Sequence, residues 1–487
     1  MNEEIIKLHP NAVWKHFEML NEIPRGSKKE ERVIAFMRSF GENLGLDTSV
    51  DETGNVLIRK PASAGYENRK GVILQSHLDM VHQKNSDSDF DFDNQGIQSY
   101  IDGDWVKAKG TTLGADNGMG VASIMTILAD NTIEHGPIEG FFTIDEETGM
   151  TGAFGLKGGL LNGEILLNLD SEDEGELYIG CAGGIDSTIS DNYDEVEVPS
   201  DHSALKVDLR GLKGGHSGMD VVLGRGNANK LMVRLLLELG DKFEIGLSSI
   251  DGGSLRNAIP REATCELLVL TKDVDAVSTF ISEREDVYKA EFGEIEPALS
   301  FSVNAISTPE KRLSSEYMIK ILWAINAAPN GVIAMSRDIE GLTETSTNMA
   351  RVLIKDGEVK VLFLSRSSVE SRKEALTQSI ESTFALMGAS GIEHNGSYPG
   401  WEPNPDSAIL ATMKKGYENL YGKVPEVMAI HAGLECGILG TNYPGMDMIS
   451  FGPTIRNPHS PDEKVLIDTV GKFWDYLLDT LKNIPAK

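Results

Sequence analysis

Short apolar runs that alternate with helical stretches, a change of rhythm near residue 187, and a return of the first rhythm after residue 395 place this 487-residue chain among α/β proteins with an inserted α+β domain. In the first part, "GVILQSHLDM", "GFFTI" and "EILLNLD" read as buried strands, with a helix over "GVASIMTILAD" between the first two. Before them, "ERVIAFMRSFGENL" carries Val33, Ile34, Met37 and Phe40 on one helical face, and Ser27 with Glu30 reads as its capping box. From about 187 the strands lengthen and alternate, as in "ALKVDLRGL", "TCELLVL", "ALSFSVNAI" and "VKVLFLS", with helices such as "ANKLMVRLLLELG" between them. The order strand, helix, two strands, helix recurs over about 204–290 and 299–388, which suggests tandem halves. After "YPGWEPNPDS", a linker by its prolines and glycine, "VMAIHAGLECG", "DMISFG" and "VLIDTVGKFWDYLLDTL" resume the α/β style. The expected division is therefore 1–186 and 396–487 for one mixed-sheet core with helices on both faces, and 187–395 for the insertion.

Composition narrows the function. Lys+Arg 45 against Asp+Glu 75 gives a formal charge of -30, which opposes binding to nucleic acid or to an anionic membrane. The N-terminal "MNEEIIKLHP" lacks an apolar leader, and no run of about 18 apolar residues is present, so a cytoplasmic protein is expected. Cys181, Cys265 and Cys436 are widely separated and form no C-x-x-C. Any metal would have to be held by His and carboxylates.

Ligands of open α/β sheets lie beyond the carboxyl ends of the strands. His77 and Asp79 end "GVILQSHLD", Asp116 stands in the glycine-rich "GTTLGADNGMG", Glu146 and Glu147 follow "FFTI", Asp170 ends "ILLNLD", and His459 follows "ISFGPTIRNP". Two imidazoles with several carboxylates and no thiolate make a hard N/O donor set that suits a pair of divalent ions. Crowding like charges in "DEETG" is unfavourable without cations or protons among them, so one of the adjacent glutamates can ligate while the other accepts a proton from water. Asp79 can hold His77 in one tautomer. In "GGHSG", Ser217 follows a His instead of sitting centrally in G-x-S-x-G, which disfavours a serine nucleophile.

"SHLDMV", "GADNG", "DEETGMTGA", "NLDSED", "GGHSG" and "NPHSPDE", in this order over almost the whole chain, resemble the M20 metallopeptidase family. The resemblance implies a dinuclear metallohydrolase core with an inserted lid. One ion would be held by His77 and Asp170, the other by Glu147 and His459, with Asp116 bridging. Glu146 would be the general base and Asp79 would orient His77. A lid residue, His216, would stabilise the oxyanion, Asn257 and Arg366 would hold the substrate carboxylate, and Gly433 would shape the pocket wall. Asp at 170, where many family acyl-group hydrolases carry Glu, implies a peptidase of short peptides. Dipeptides of the Xaa-His type are the expected substrates, with a tripeptide aminopeptidase or N-acyl amino acid hydrolase as the alternative. Zinc is the expected ion, and Co or Mn suits the same ligands. Monomer and homodimer both remain open.

Overall fold

The computed structural model describes every residue except Asp87. The chain forms two compact units, one of Met1–Gly180, Pro403–Ala429 and Leu434–Lys487, the other of Cys181–Glu402 and Ile430–Gly433.

The first unit is built on an eight-stranded mixed sheet. Its spatial order is Asp47–Val50, Val56–Lys60, Ile138–Thr143, Val72–His77, Ile165–Asn168, Asp447–Ser450, Glu176–Cys181, Glu426–Ile430. The four strands in the middle run parallel; Val56–Lys60 runs antiparallel to them and pairs antiparallel with Asp47–Val50. Val72–His77 and Ile138–Thr143 are buried at every position, as their unbroken apolar runs require of strands covered on both faces. The helix Ala115–Ala129 is buried at nearly every residue from Asn117 to Leu128. Because the parallel strands share one direction, their carboxyl ends bring His77, Thr143, Asn168 and Ser450 to one rim, and the loops that follow carry the candidate ligands. A four-stranded antiparallel sheet, Ile455–Arg456, Lys464–Leu466, Trp105–Ala108, Ser99–Asp102, brackets the His459 turn.

The second unit is a nine-stranded antiparallel sheet with four long helices, Ala228–Gly240, Val274–Phe292, Ser315–Ala327 and Glu370–Met387. Strand, helix, two long strands, helix occurs over 202–292 and again over 300–387, with short elements between. Leu235, Phe280, Ile321 and Phe384 from the helices share one apolar core with Val207, Leu247, Cys265 and Phe363 from the strands. Among the described residues no helix is long and apolar enough to cross a membrane.

Candidate metal centre

His77 is the last residue of its strand, 1% exposed. Its Nε2 lies 3.2 Å from Asp116 Oδ1 and 3.3 Å from Asp170 Oδ1. His459 Nε2 lies 3.2 Å from Asp116 Oδ2 and 2.9 Å from Glu147 Oε2. One carboxylate, Asp116, thus faces two imidazoles that stand 382 positions apart in the chain. The donor atoms fall into one group of His77, Asp116 and Asp170 and another of Asp116, Glu147 and His459; His77, Glu146 and Glu147 form a third.

An imidazole N–H can be shared well with only one acceptor, yet each Nε2 has two carboxylate oxygens at nearly equal distance. Donors at the corners of a tetrahedron, with bonds of about 2.0–2.1 Å to zinc, stand about 3.3 Å apart, which is the spacing found here. Glu147 Oε1 and Asp170 Oδ1 are buried without a hydrogen-bond partner; the 3.3 Å approach of His77 to Asp170 is a charge contact, not an aligned hydrogen bond. Electrostatics point the same way. Hydrogen bonds to Asp116 and Glu147 push the His459 imidazole up to about 11. Burial pulls His77 down, but Asp170, Asp116 and Asp79 outweigh it and leave it well above its ordinary value. Burial, with Asp116 and Glu147 adding to it, pushes Asp170 up to about 6. Burial also drives Glu146 well above the carboxylate range, and Asp170, Glu435 and Glu147 add to it. Both imidazoles and the Asp170 and Glu146 carboxyls rise, while the burial that would raise Asp116 is overcome by His459 and His77, which hold it below its ordinary value; divalent ions would supply the missing positive charge to the same atoms.

The "DEETG" turn is held from behind. Asp145 adopts φ +51°, a strained left-handed value for a non-glycine residue. Its backbone N–H donates to Glu30 Oε1 at 3.0 Å, and its carboxylate accepts the hydroxyls of Thr148 and Thr151. Asp79 is fully buried; its Oδ1 accepts Glu146 N–H (3.0 Å), and its Oδ2 accepts Glu147 N–H (3.3 Å) and the Ser27 hydroxyl (2.8 Å). The His77 Nδ1–H donates to the Asp79 carbonyl at 3.1 Å, while the Asp79 carboxylate is 3.4 Å from it. Asp79 therefore fixes the tautomer mainly through its backbone, and its carboxylate sets the glutamate pair. Glu30, Asp79 and Asp145 also cluster closely, but their oxygens are engaged by these backbone and hydroxyl donors.

The capping-box expectation is corrected here. Helix Glu31–Asn43 begins without a side-chain cap bond, because Ser27 is turned to Asp79 and Glu30 to the N–H groups of Lys28 and Asp145. Sequence reasoning also passed over Gln75, Glu435 and Glu463. Glu435 is fully buried; Oε2 accepts Gln75 Nε2 and the Thr143 hydroxyl, both at 2.7 Å, and burial pushes it up to about 7. A polar residue inside an apolar strand run, Gln75 in "GVILQSHL", was the only signal for that network.

His216, Asn257, Arg366 and Gly433 all belong to the second unit. The short strand Gly215–His216 pairs with Ala258–Ile259, and Ser217 N–H donates to the Asn257 carbonyl at 2.8 Å, so "GGHSG" and "LRNAIP" form one ribbon. His216 Nδ1 accepts the N–H groups of Gly218 and Met219 (3.2 and 3.1 Å), which leaves Nε2 as the donor of the neutral ring. Arg366 is buried; its Nη1 donates to Tyr398 Oη at 2.7 Å, its Nε has no partner, and among the described residues no carboxylate forms an ion pair with it. A side chain at Gly218 would come within 2.2 Å of the His431 carbonyl, 3.1 Å of the His216 ring and 3.3 Å of Arg366 Nε, so these residues converge on it. His431 is buried against Ser346, Nε2 to Oγ 2.7 Å, and burial lowers its ring to about 3, with Arg366 and His216 adding to the effect. Gly433 closes the Ile430–Gly433 segment, whose Ile430 and Ala432 carbonyls accept Ala182 N–H.

The chain and its fold have close counterparts. The chain is 45% identical over 484 residues, 99% of its length and all of the relative's, to the cytosol non-specific dipeptidase of Escherichia coli (strain K12). A crystal structure of aminoacylhistidine dipeptidase from Vibrio alginolyticus superposes with a TM-score of 0.95 at 47% identity, covering 100% of this chain and 99% of that one. An aminopeptidase from Bacillus cereus shares the fold at a TM-score of 0.57 and 16% identity, over 98% of this chain and 99% of that one. The model for peptidase family M20/M25/M40 matches residues 73–483, and the chain belongs to that family.

Proposed function

We propose that this protein is a dinuclear zinc dipeptidase of the cytoplasm, acting on free dipeptides of the Xaa-His type and beyond. The observation that carries the reading is the single carboxylate of Asp116 between His77 and His459, each imidazole also meeting a second carboxylate. The relatives named as dipeptidases, one of them of the cytosol, support the substrate class and the compartment.

His77 and Asp170 would hold one ion, Glu147 and His459 the other, and Asp116 both. Two divalent ions held there would supply Lewis acidity, lowering the pKa of a water and polarising the scissile carbonyl. Glu146, whose side chain accepts no hydrogen bond among the described residues, is the group placed to take a proton from a water and to return it to the leaving amine. Asp79 keeps the base and its ligating neighbour apart by bonding both backbone N–H groups. His216, with Nε2–H as donor, stabilises the carbonyl oxygen as it gains charge. Arg366 and Asn257 take the terminal carboxylate, for which a buried guanidinium with a free Nε and no carboxylate partner is suited, and Gly433 shapes the wall.

Metal content of the purified protein, together with kinetics on dipeptides, tripeptides, N-acetyl amino acids and C-terminally amidated dipeptides, tests the proposal. Two zinc ions per chain and preferred turnover of free dipeptides are expected. Preference for N-acetyl amino acids or tripeptides would overturn the substrate class, and full activity without divalent ions would overturn the mechanism.

A further inference from the structure

His459 is the least supported ligand. Its side chain is 52% exposed, it sits at φ +59°, and Asn457 before it is also left-handed at φ +56°. No packing of its own explains why its ring stands against Asp116 and Glu147. The chain turns tightly just after it: Asp462 N–H donates to Ser460 Oγ (3.2 Å), and Glu463 N–H to the Ser460 carbonyl (2.9 Å). That turn delivers Glu463, 2% exposed, into the interior.

The Glu463 carboxylate accepts four consecutive backbone N–H groups. Leu113 and Gly114 donate to Oε2 (2.7 and 3.0 Å), and Ala115 and Asp116 to Oε1 (2.7 and 3.2 Å). These are the residues of the Asp116 loop and the first positions of the helix Ala115–Ala129. From the other side Arg25, 1% exposed, donates to the carbonyls of Leu78, Asp79 and Gly114 (3.0, 3.2 and 2.7 Å). The loop fits so closely that a side chain at Gly114, itself at φ +72°, would come within 2.5 Å of the guanidinium.

We infer that Glu463 is a positioning residue that ties the His459 turn to the Asp116 loop, so that one buried carboxylate sets both the shared ligand and the most exposed one. The inference rests on the two-ion reading above. It separates Glu463 from an ordinary helix cap, whose loss would cost stability without touching metal affinity. Because Asp116 is common to both donor groups, losing Glu463 weakens both ions together, whereas losing Asp170 or Glu147 weakens one. Supporting residues behind metal ligands typically affect affinity about 10–100-fold.

Glu463→Gln places an NH2 against two of the four N–H donors and keeps the volume. The internal control is Glu139→Gln. Glu139 is a buried carboxylate at the amino end of its strand, opposite the rim, where it accepts Asn162 and Gly163 N–H (2.7 and 2.9 Å) and pairs with Arg59 (2.9 Å). Full-length wild type and both variants are freed of metal and titrated with Zn2+ against a chromophoric chelator, and thermal unfolding is measured alongside. The expected result is that Glu463→Gln binds both ions about 10–100-fold more weakly, while Glu139→Gln unfolds at lower temperature with both affinities within about twofold of wild type. Glu463→Gln affinities within about twofold of wild type at both sites would overturn the inference, as would an equal weakening in Glu139→Gln. If wild type binds fewer than two ions, the two-ion reading fails on its own, and the change at the remaining site still decides Glu463. Should Glu463→Gln not fold, Glu463→Asp, which keeps the anion but shortens its reach, is held to the same limits.

Discussion

Asp79→Asn removes one charge and almost no volume, and the structure allows its effect to be worked out. Oδ1 accepts Glu146 N–H and faces the His77 ring, while Oδ2 accepts Glu147 N–H and the Ser27 hydroxyl. A side-chain amide has one acceptor end, so in either orientation its NH2 meets a backbone N–H in a fully buried site. The Ser27 hydroxyl can turn to accept, but the glutamate N–H groups cannot. An unsatisfied buried donor costs about 1–3 kcal/mol, and bonds to a charged acceptor are the stronger kind, so a total of about 2–5 kcal/mol is expected. Relief of repulsion from Glu30 and Asp145 works against this but is the smaller effect. Burial raises the Asp79 carboxyl, yet hydrogen bonding and charge from His77, with the Glu146 N–H and Ser27, hold it below its usual value, so the site favours the anion overall. The strained turn at Asp145 loses its anchor, and Glu146 and Glu147 shift together. Asp79→Asn should therefore lower the unfolding midpoint, lower metal occupancy and cut dipeptide turnover by about two orders of magnitude, whereas Ser27→Ala, which loses a single hydroxyl, should cost only about 1 kcal/mol. Thermal unfolding, metal analysis and turnover on the same preparations check this. An Asn variant with native stability, full metal and turnover within a few-fold of wild type would refute the role given to the Asp79 carboxylate.

Glu146→Gln should keep both ions and lose about 10²–10⁴-fold in rate, while Glu147→Gln should lose occupancy of one ion; metal analysis with turnover separates them, and reversed phenotypes would exchange the two roles. Arg366→Ala should raise KM for free dipeptides strongly and leave C-terminally amidated dipeptides little further impaired; equal loss on both would show that it does not read the carboxylate. Gly218→Ala should depress turnover with metal content intact, since its Cβ would lie 2.2 Å from the His431 carbonyl. His431 is neutral in the fold, with its ring lowered to about 3, against about 6.5 when unfolded. The unfolded chain thus binds the extra proton, and stability is lost as pH falls below about 6.5, by about 2 kcal/mol between pH 7 and pH 5. Raised carboxylates such as Asp170 act in the opposite sense, so the comparison is between wild type and His431→Gln, both with chelator present: the wild type should show the steeper acid loss.

Candidate ligands that end apolar strands are legible because the strand run and the rim rule together fix where a side chain emerges. The rim rule placed His77, Glu146, Glu147 and Asp170 together as candidates, and His459 followed from "ISFG", whose Asp447–Ser450 strand is parallel to Ile165–Asn168; their division into ligands and base came from the family resemblance. Ser27 and Glu30 were misread because S-x-x-E describes a local bond, whereas their partners, Asp79 and Asp145, lie 52 and 115 residues away. Glu463 was invisible for the same reason on a larger scale: its first donor, Leu113, is 350 residues distant. "HAGLECG" read as one stretch, yet Ile430–Gly433 belongs to the second unit and Leu434 onward to the first. Contacts made by backbone N–H groups leave no mark on residue type.

The three acids of "DEETG" are separated by direction. The left-handed Asp145 turns its carboxylate onto two threonine hydroxyls and away from the rim. Glu147 reaches His459. Both glutamate N–H groups are committed to Asp79. Among the described residues the Glu146 side chain accepts no hydrogen bond and forms no ion pair, although it lies within ligand distance of His77 and Glu147. A carboxylate that already holds donors has a lowered proton affinity and a fixed rotamer, and either would spoil a base. The bonds of Asp79 to both glutamate N–H groups therefore place Glu146 through its backbone and leave its oxygens unengaged, as the proposed base role requires.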